Sequence, residues 1–73
     1  MRRPKFKEVV SSNLHYVWYG RKSRQLHIIF HSGSYYVYNN VSYYRYWKLI
    51  KAESLGRYFY YNIRMNYIYK RLR

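Results

Sequence analysis

The sequence predicts an α+β fold: a three-stranded antiparallel sheet (about residues 13–19, 25–31 and 35–39) packed by an amphipathic helix (about 43–55) and a short second helix (about 57–64). Two observations carry this. Apolar side chains alternate at every second position in the first half of the chain, with Leu26, Ile28 and Phe30 as the clearest set. From Tyr43 the period changes, and Tyr43, Tyr46, Trp47 and Ile50 recur at i, i+3, i+4 and i+7.

The elements follow in order. "MRRPKFK" opens a basic N-terminal arm (residues 1–10) that holds the single proline, and "SSN" marks its end. "LHYVWY" alternates as a strand, placing Leu14, Tyr16 and Trp18 on one face and His15, Val17 and Tyr19 on the other. "GRKSR" is a five-residue hairpin loop with Gly20 available for a positive φ. "LHIIFH" is the second strand, "SGS" a tight turn around Gly33, and "YYVY" the third strand, rich in residues that suit a pleated surface. Ser42 is the expected N-cap of the main helix and Gly56 its expected terminator. Glu53 would then sit in the last turn, against the dipole, with Arg57 as its i,i+4 partner. Tyr58, Phe59 and Ile63 turn inward from the second helix, and residues 65–73 form a basic C-terminal tail, extended or frayed.

Laying the helices over the sheet yields a core of Leu14, Tyr16, Trp18, Leu26, Ile28, Phe30, Tyr36, Tyr38, Tyr46, Trp47, Ile50, Phe59 and Ile63. The buried phenols would reach water or a backbone group at the core's edge. The opposite sheet face would carry His15, Val17, Tyr19, His27, Ile29, His31, Tyr35 and Val37. If uncovered, it is an aromatic, weakly basic platform, with Tyr19, Tyr35, His15, His27 and His31 as its contact residues. Phe6, Val9 and Val10 are apolar enough to fold over it instead.

Seventy-three residues make one domain, and a quarter of them are aromatic, which supplies a core despite modest aliphatic content. Fifteen Lys and Arg stand against two acids, Glu8 and Glu53, for a net charge of +13. Such a surface attracts nucleic acid, anionic membrane or an acidic protein, and self-repulsion destabilises it until an anion binds. The charge gathers in three clusters: Arg2, Arg3, Lys5 and Lys7; Arg21, Lys22 and Arg24; Lys70, Arg71 and Arg73. These are the expected partner-binding residues.

Catalysis is not expected. Two carboxylates far apart in the chain cannot work as an acid/base pair, and without Asp there is no Ser-His-Asp arrangement. Glycine occurs only at 20, 33 and 56, so no glycine-rich phosphate loop exists. His27 and His31 share a strand face but lie roughly 13 Å apart along it, too far for one metal ion, and no cofactor is expected. The absence of cysteine fits a reducing cytoplasm. No apolar run suits a signal peptide or a membrane span, so a cytoplasmic chain with no membrane partner is expected.

The ordered set "SSN", Leu26-x-Ile28-x-Phe30, "SG", Tyr36-x-Tyr38 and "AESLGRYF" with Ile63 resembles the KTSC domain. The family takes its name from a C-terminal extension of some lysyl-tRNA synthetases and also occurs as free-standing bacterial and phage proteins. The resemblance covers residues 11–64, leaving 1–10 and 65–73 as arm and tail. Three positions depart from the family pattern: Trp18 replaces a small residue, Ser42 a common proline, and Tyr60 an asparagine. Length, charge and basic arms are similar to those of small phage regulators within the family. That similarity implies a partner, bacterial RNA polymerase, with inhibition of host transcription initiation and promotion of antitermination. RNA or DNA in the same complex, and a chain that is monomeric when free, complete the expectation. The alternative implied by the family is an RNA-binding module using the basic, aromatic sheet surface.

Overall fold

The computed structural model describes residues 6–73. Five strands form one antiparallel sheet in the order β1-β2-β3-β4-β5: Lys7–Glu8, Leu14–Gly20, Gln25–Phe30, Tyr35–Tyr38 and Tyr69–Arg71. Two helices, α1 (Tyr43–Lys51) and α2 (Leu55–Phe59), lie between β4 and β5 in the chain, and α2 runs on into a π-helical segment, Tyr60–Arg64. The α+β class holds, but the sheet has five strands rather than three. Both ends of the chain supply the extra ones. The tail is a strand because Tyr36, Val37 and Tyr38 present an unpaired edge that Arg71, Lys70 and Tyr69 fill. Backbone bonds from Leu72 N–H to the Tyr35 carbonyl (2.7 Å) and from Tyr35 N–H to the Arg73 carbonyl (2.8 Å) extend the pairing to the terminus.

A β-bulge decides which face of β2 is buried. Leu14 pairs with Phe30, yet Tyr16 pairs with Ile29, so one extra residue is accommodated at His15. Beyond it every side chain of β2 changes face. Val17 and Tyr19 therefore join Leu14, Leu26 and Ile28 in the core, while Tyr16 and Trp18 turn to the other side and are half-buried there. The expected placement of Tyr16 and Trp18 in the core, and of Val17 and Tyr19 on the open face, is corrected by this one residue. Inside, the Tyr19 hydroxyl donates to the Val41 carbonyl and its ring stacks on Tyr46 at 4.9 Å.

The core is completed by Tyr38, Val41, Leu49, Phe59 and Ile63, with Phe30, Tyr36 and Tyr46 half-buried against it. Helix α1 is rotated from its expected phase. Leu49 is fully buried and Ile50 half-buried, but Trp47, expected in the core, is 42% exposed, and Tyr43 is exposed too. The apolar spacing fits two overlapping stripes. The one centred on the wholly aliphatic Leu49 is buried, leaving the amphipathic rings at the rim where their polar atoms meet water. Tyr43 there receives the Arg21 guanidinium at 4.4 Å.

The helix boundaries also move. Ser42 caps α1, accepting from the Arg45 N–H at 3.1 Å. The helix ends at Lys51, with extended backbone at Ala52, and Ser54 caps α2 by accepting from Arg57 N–H. Glu53 thus sits between the helices rather than in a last turn, and among the described residues it forms no ion pair with Arg57. Gly56 lies inside α2 instead of ending α1; a Cβ there would come within 2.7 Å of the Asn13 side-chain oxygen, so the glycine permits close approach to the β1–β2 connection. Gly20 likewise ends β2, while Arg24 takes the positive φ (57°) of the hairpin. Downstream, the Asn62 side-chain amide donates to the Tyr58 carbonyl at 3.1 Å, the acceptor an α-helix reserves for the Asn62 backbone N–H. This substitution is consistent with the widening into a π turn.

Candidate functional site

The sheet separates the described members of the three basic clusters. Arg2, Arg3 and Lys5 lie outside the described residues. Lys7 is on β1, one edge of the sheet, and Lys70 and Arg71 are on β5, the other edge, four strand spacings or about 19 Å away. Arg21, Lys22 and Arg24 occupy the exposed β2–β3 hairpin tip. The described members of the clusters therefore lie apart and do not build one patch. Within the last cluster, Arg71 pairs opposite Tyr36, whereas Lys70 pairs opposite Val37 and so faces the other side.

The face away from the helices carries Tyr16, Trp18, His27, Ile29, Tyr35 and Val37. It is not a bare platform. The Phe6 ring meets Tyr35 edge-on at 5.7 Å and His27 at 6.4 Å, so the N-terminal segment covers part of it. Beneath, the His27 Nδ1 and the Tyr35 hydroxyl share a hydrogen bond of 2.8 Å, and the His27 Nε2 is buried without a partner. Burial pushes the imidazole below its ordinary pKa. Of the expected contact residues, Tyr35 and His27 thus bind each other, and Tyr19 belongs to the core. His15 and His31 stack at 4.5 Å near the bulge, with the Glu8 carboxylate 3.0 Å from His15 Nε2. Among the described residues no three metal-ligating side chains gather.

A groove on the helix side was not foreseen as a site. Phe30, Tyr36, Tyr38 and Tyr69, on three adjacent strands, form its floor; Phe59, Tyr60, Arg64 and Met65 form the opposing wall, enclosing about 420 Å³. The rings are regularly spaced: Tyr36 and Tyr38 each lie 5.5–5.6 Å from Tyr69, and Phe59 is 5.5 Å from Tyr38 and 5.6 Å from Phe30. Burial pushes the Tyr38 phenol up to about 12, so it stays a neutral donor through any physiological range. Two guanidiniums border the groove. Arg71 lies over the Tyr36 ring at 5.8 Å and donates to Ser34 Oγ at 3.4 Å; Arg64 lies over Tyr60 at 5.2 Å. No carboxylate lines it. The Tyr36-x-Tyr38 spacing, two residues on one strand face, was legible beforehand; the contributions of Tyr69 and Arg64 depended on where the tail and the π turn end up.

A five-stranded antiparallel sheet with two short helices on one face, and an aromatic groove bordered by arginine, defines a small α+β domain. The chain belongs to the KTSC domain family, whose model matches residues 10–67. Its fold is similar to the crystal structure of a KTSC domain protein from Yersinia pestis, with a TM-score of 0.92 and 24% identity over 97% of this chain and 100% of that one. No curated protein matches the chain. Among the described residues, no helix is long and apolar enough to cross a membrane.

Proposed function

We propose that this KTSC domain is a non-catalytic binding module that docks on an anionic macromolecule. One observation carries the reading: among the described residues no lysine or arginine is paired with a carboxylate, the single ion pair being Glu8 with His15. With fifteen cations and two acids the fold cannot neutralise itself, and an anionic partner relieves the repulsion that it carries.

The partner in this proposal is bacterial RNA polymerase, the one that the resemblance to phage regulators implies. In that reading the domain holds back host initiation and favours read-through of terminators, with basic residues at both sheet edges and the hairpin tip meeting acidic segments or nucleic acid of the complex. A second reading, direct RNA binding, is favoured by the groove, where tyrosine rings and guanidiniums adjoin. Affinity purification of the tagged chain from bacterial lysate, with nuclease and about 0.3 M salt, tests both, because nucleic-acid contacts weaken steeply with salt while seated apolar anchors do not. Polymerase subunits that persist support the first reading. Retention lost on nuclease treatment supports the second. A chain that retains neither is not a binder of this kind.

A further inference from the structure

We infer that the groove between β4–β5 and the π turn takes an unpaired base of single-stranded RNA, with the flanking phosphates on Arg64 and Arg71; this rests on, and narrows, the anionic-partner reading above. The chemistry of the lining points one way. Its floor is aromatic and its rim cationic, and the two acids stand elsewhere, Glu8 on β1 and Glu53 between the helices. An occupant that satisfies both features is planar and aromatic at its centre and anionic at its ends. A nucleotide within a strand has that form: rings stack on any base, and guanidiniums pair with phosphate oxygens.

Size and access narrow it further. A volume of about 420 Å³ lies toward the lower end of what small-ligand sites use, room for one nucleotide rather than for a folded segment. A base paired inside a duplex cannot reach such a recess without leaving its stack, so the strand must be single. Ser32, Ser34 and Asn13, which line the same groove, provide hydroxyl and amide partners for a ribose 2′-OH, the group that separates RNA from DNA. Tyr69 is 54% exposed and Tyr60 50% exposed, so both residues can be reached from solvent. Around Arg71 the cradle is pre-positioned, since the guanidinium is held by Tyr36, Ser34 and the Arg73 carbonyl.

The test is fluorescence anisotropy of the full chain with labelled oligo(U) of about eight nucleotides, within the site sizes of single-strand binders, across a salt series. Tyr69→Ala is expected to weaken binding roughly 5- to 150-fold. Arg71→Gln is expected to lower the logarithmic salt slope by about 0.7. A duplex of the same length and oligo(dT) should both bind more weakly than oligo(U). In case Tyr69→Ala does not fold, the ring proton resonances of Tyr36, Tyr38 and Tyr69 in the unmodified chain provide an independent readout and should shift on adding oligo(U). Oligo(U) binding that leaves those resonances still and survives both substitutions overturns the groove assignment, while the anionic-partner reading stands. Equal affinity for oligo(dT) overturns the assignment to RNA. If the substitutions impair only polymerase retention, the groove is a protein site and the inference fails. A chain that binds neither oligo(U) nor polymerase loses both readings together.

Discussion

Replacing Leu49 with alanine tests the rotation of α1, on which the core depends. Leu49 is fully buried, so Leu49→Ala removes its transfer energy and leaves a cavity, a cost of about 2–5 kcal/mol. For a domain of this size, whose total stability is on the order of 4–11 kcal/mol, that is a large fraction. At roughly 4–8 °C per kcal/mol, a loss of about 3.5 kcal/mol, the middle of the range, lowers Tm by about 14–28 °C. Trp47, two residues earlier, is 42% exposed, and Trp47→Ala should cost under about 1 kcal/mol despite deleting a larger side chain. Urea denaturation followed by far-ultraviolet circular dichroism measures both, with the m value expected to stay constant so that the midpoints report stability alone. If Trp47→Ala costs as much as Leu49→Ala, the helix faces the sheet through the stripe that the apolar spacing first suggests, and the packing described above is wrong.

Two further outcomes follow from the bulge and the covered sheet face. Tyr19→Phe should cost about 1–3 kcal/mol, because the buried Val41 carbonyl loses its hydroxyl donor; an effect within about 0.5 kcal/mol in the same urea titration would place Tyr19 on the surface. His27 is held below its ordinary pKa by burial among Phe6, Trp18 and Tyr35, with Lys70 bordering the same recess. The unfolded chain therefore takes up this proton first as pH falls below about 6.5, so the contribution of His27 to stability is present above that pH and is lost toward acid. The urea midpoint should consequently drop more between about pH 7 and pH 5 in the unmodified chain than in His27→Gln, and parallel slopes would contradict the burial argument.

Much of the fold was legible because its signals are local. The period of two from Leu26 to Phe30, the glycine turn at 33 and the Ser42 cap are each written in a few adjacent residues, and each stands where expected. The bulge was not, since an extra residue at His15 leaves the alternation of residue types in β2 intact while reversing the faces beyond it. Nor was the helix phase. A nine-residue helix with rings or aliphatics at 43, 44, 46, 47, 49 and 50 offers more than one apolar stripe, and only the surface it packs against selects between them.

The same division applies to function. Composition by itself determined that the chain is a strongly basic, aromatic, cysteine-free domain with too few carboxylates to neutralise its charge, and the motif order placed it in a family. Tertiary structure alone decided that Tyr69 and Arg71 from the tail meet Tyr36 and Tyr38 from the third predicted strand, facing Arg64 across a groove. Charge is a sum over residues and can be read without knowing where they are. A binding surface is a juxtaposition of residues distant in sequence, and strand pairing creates it.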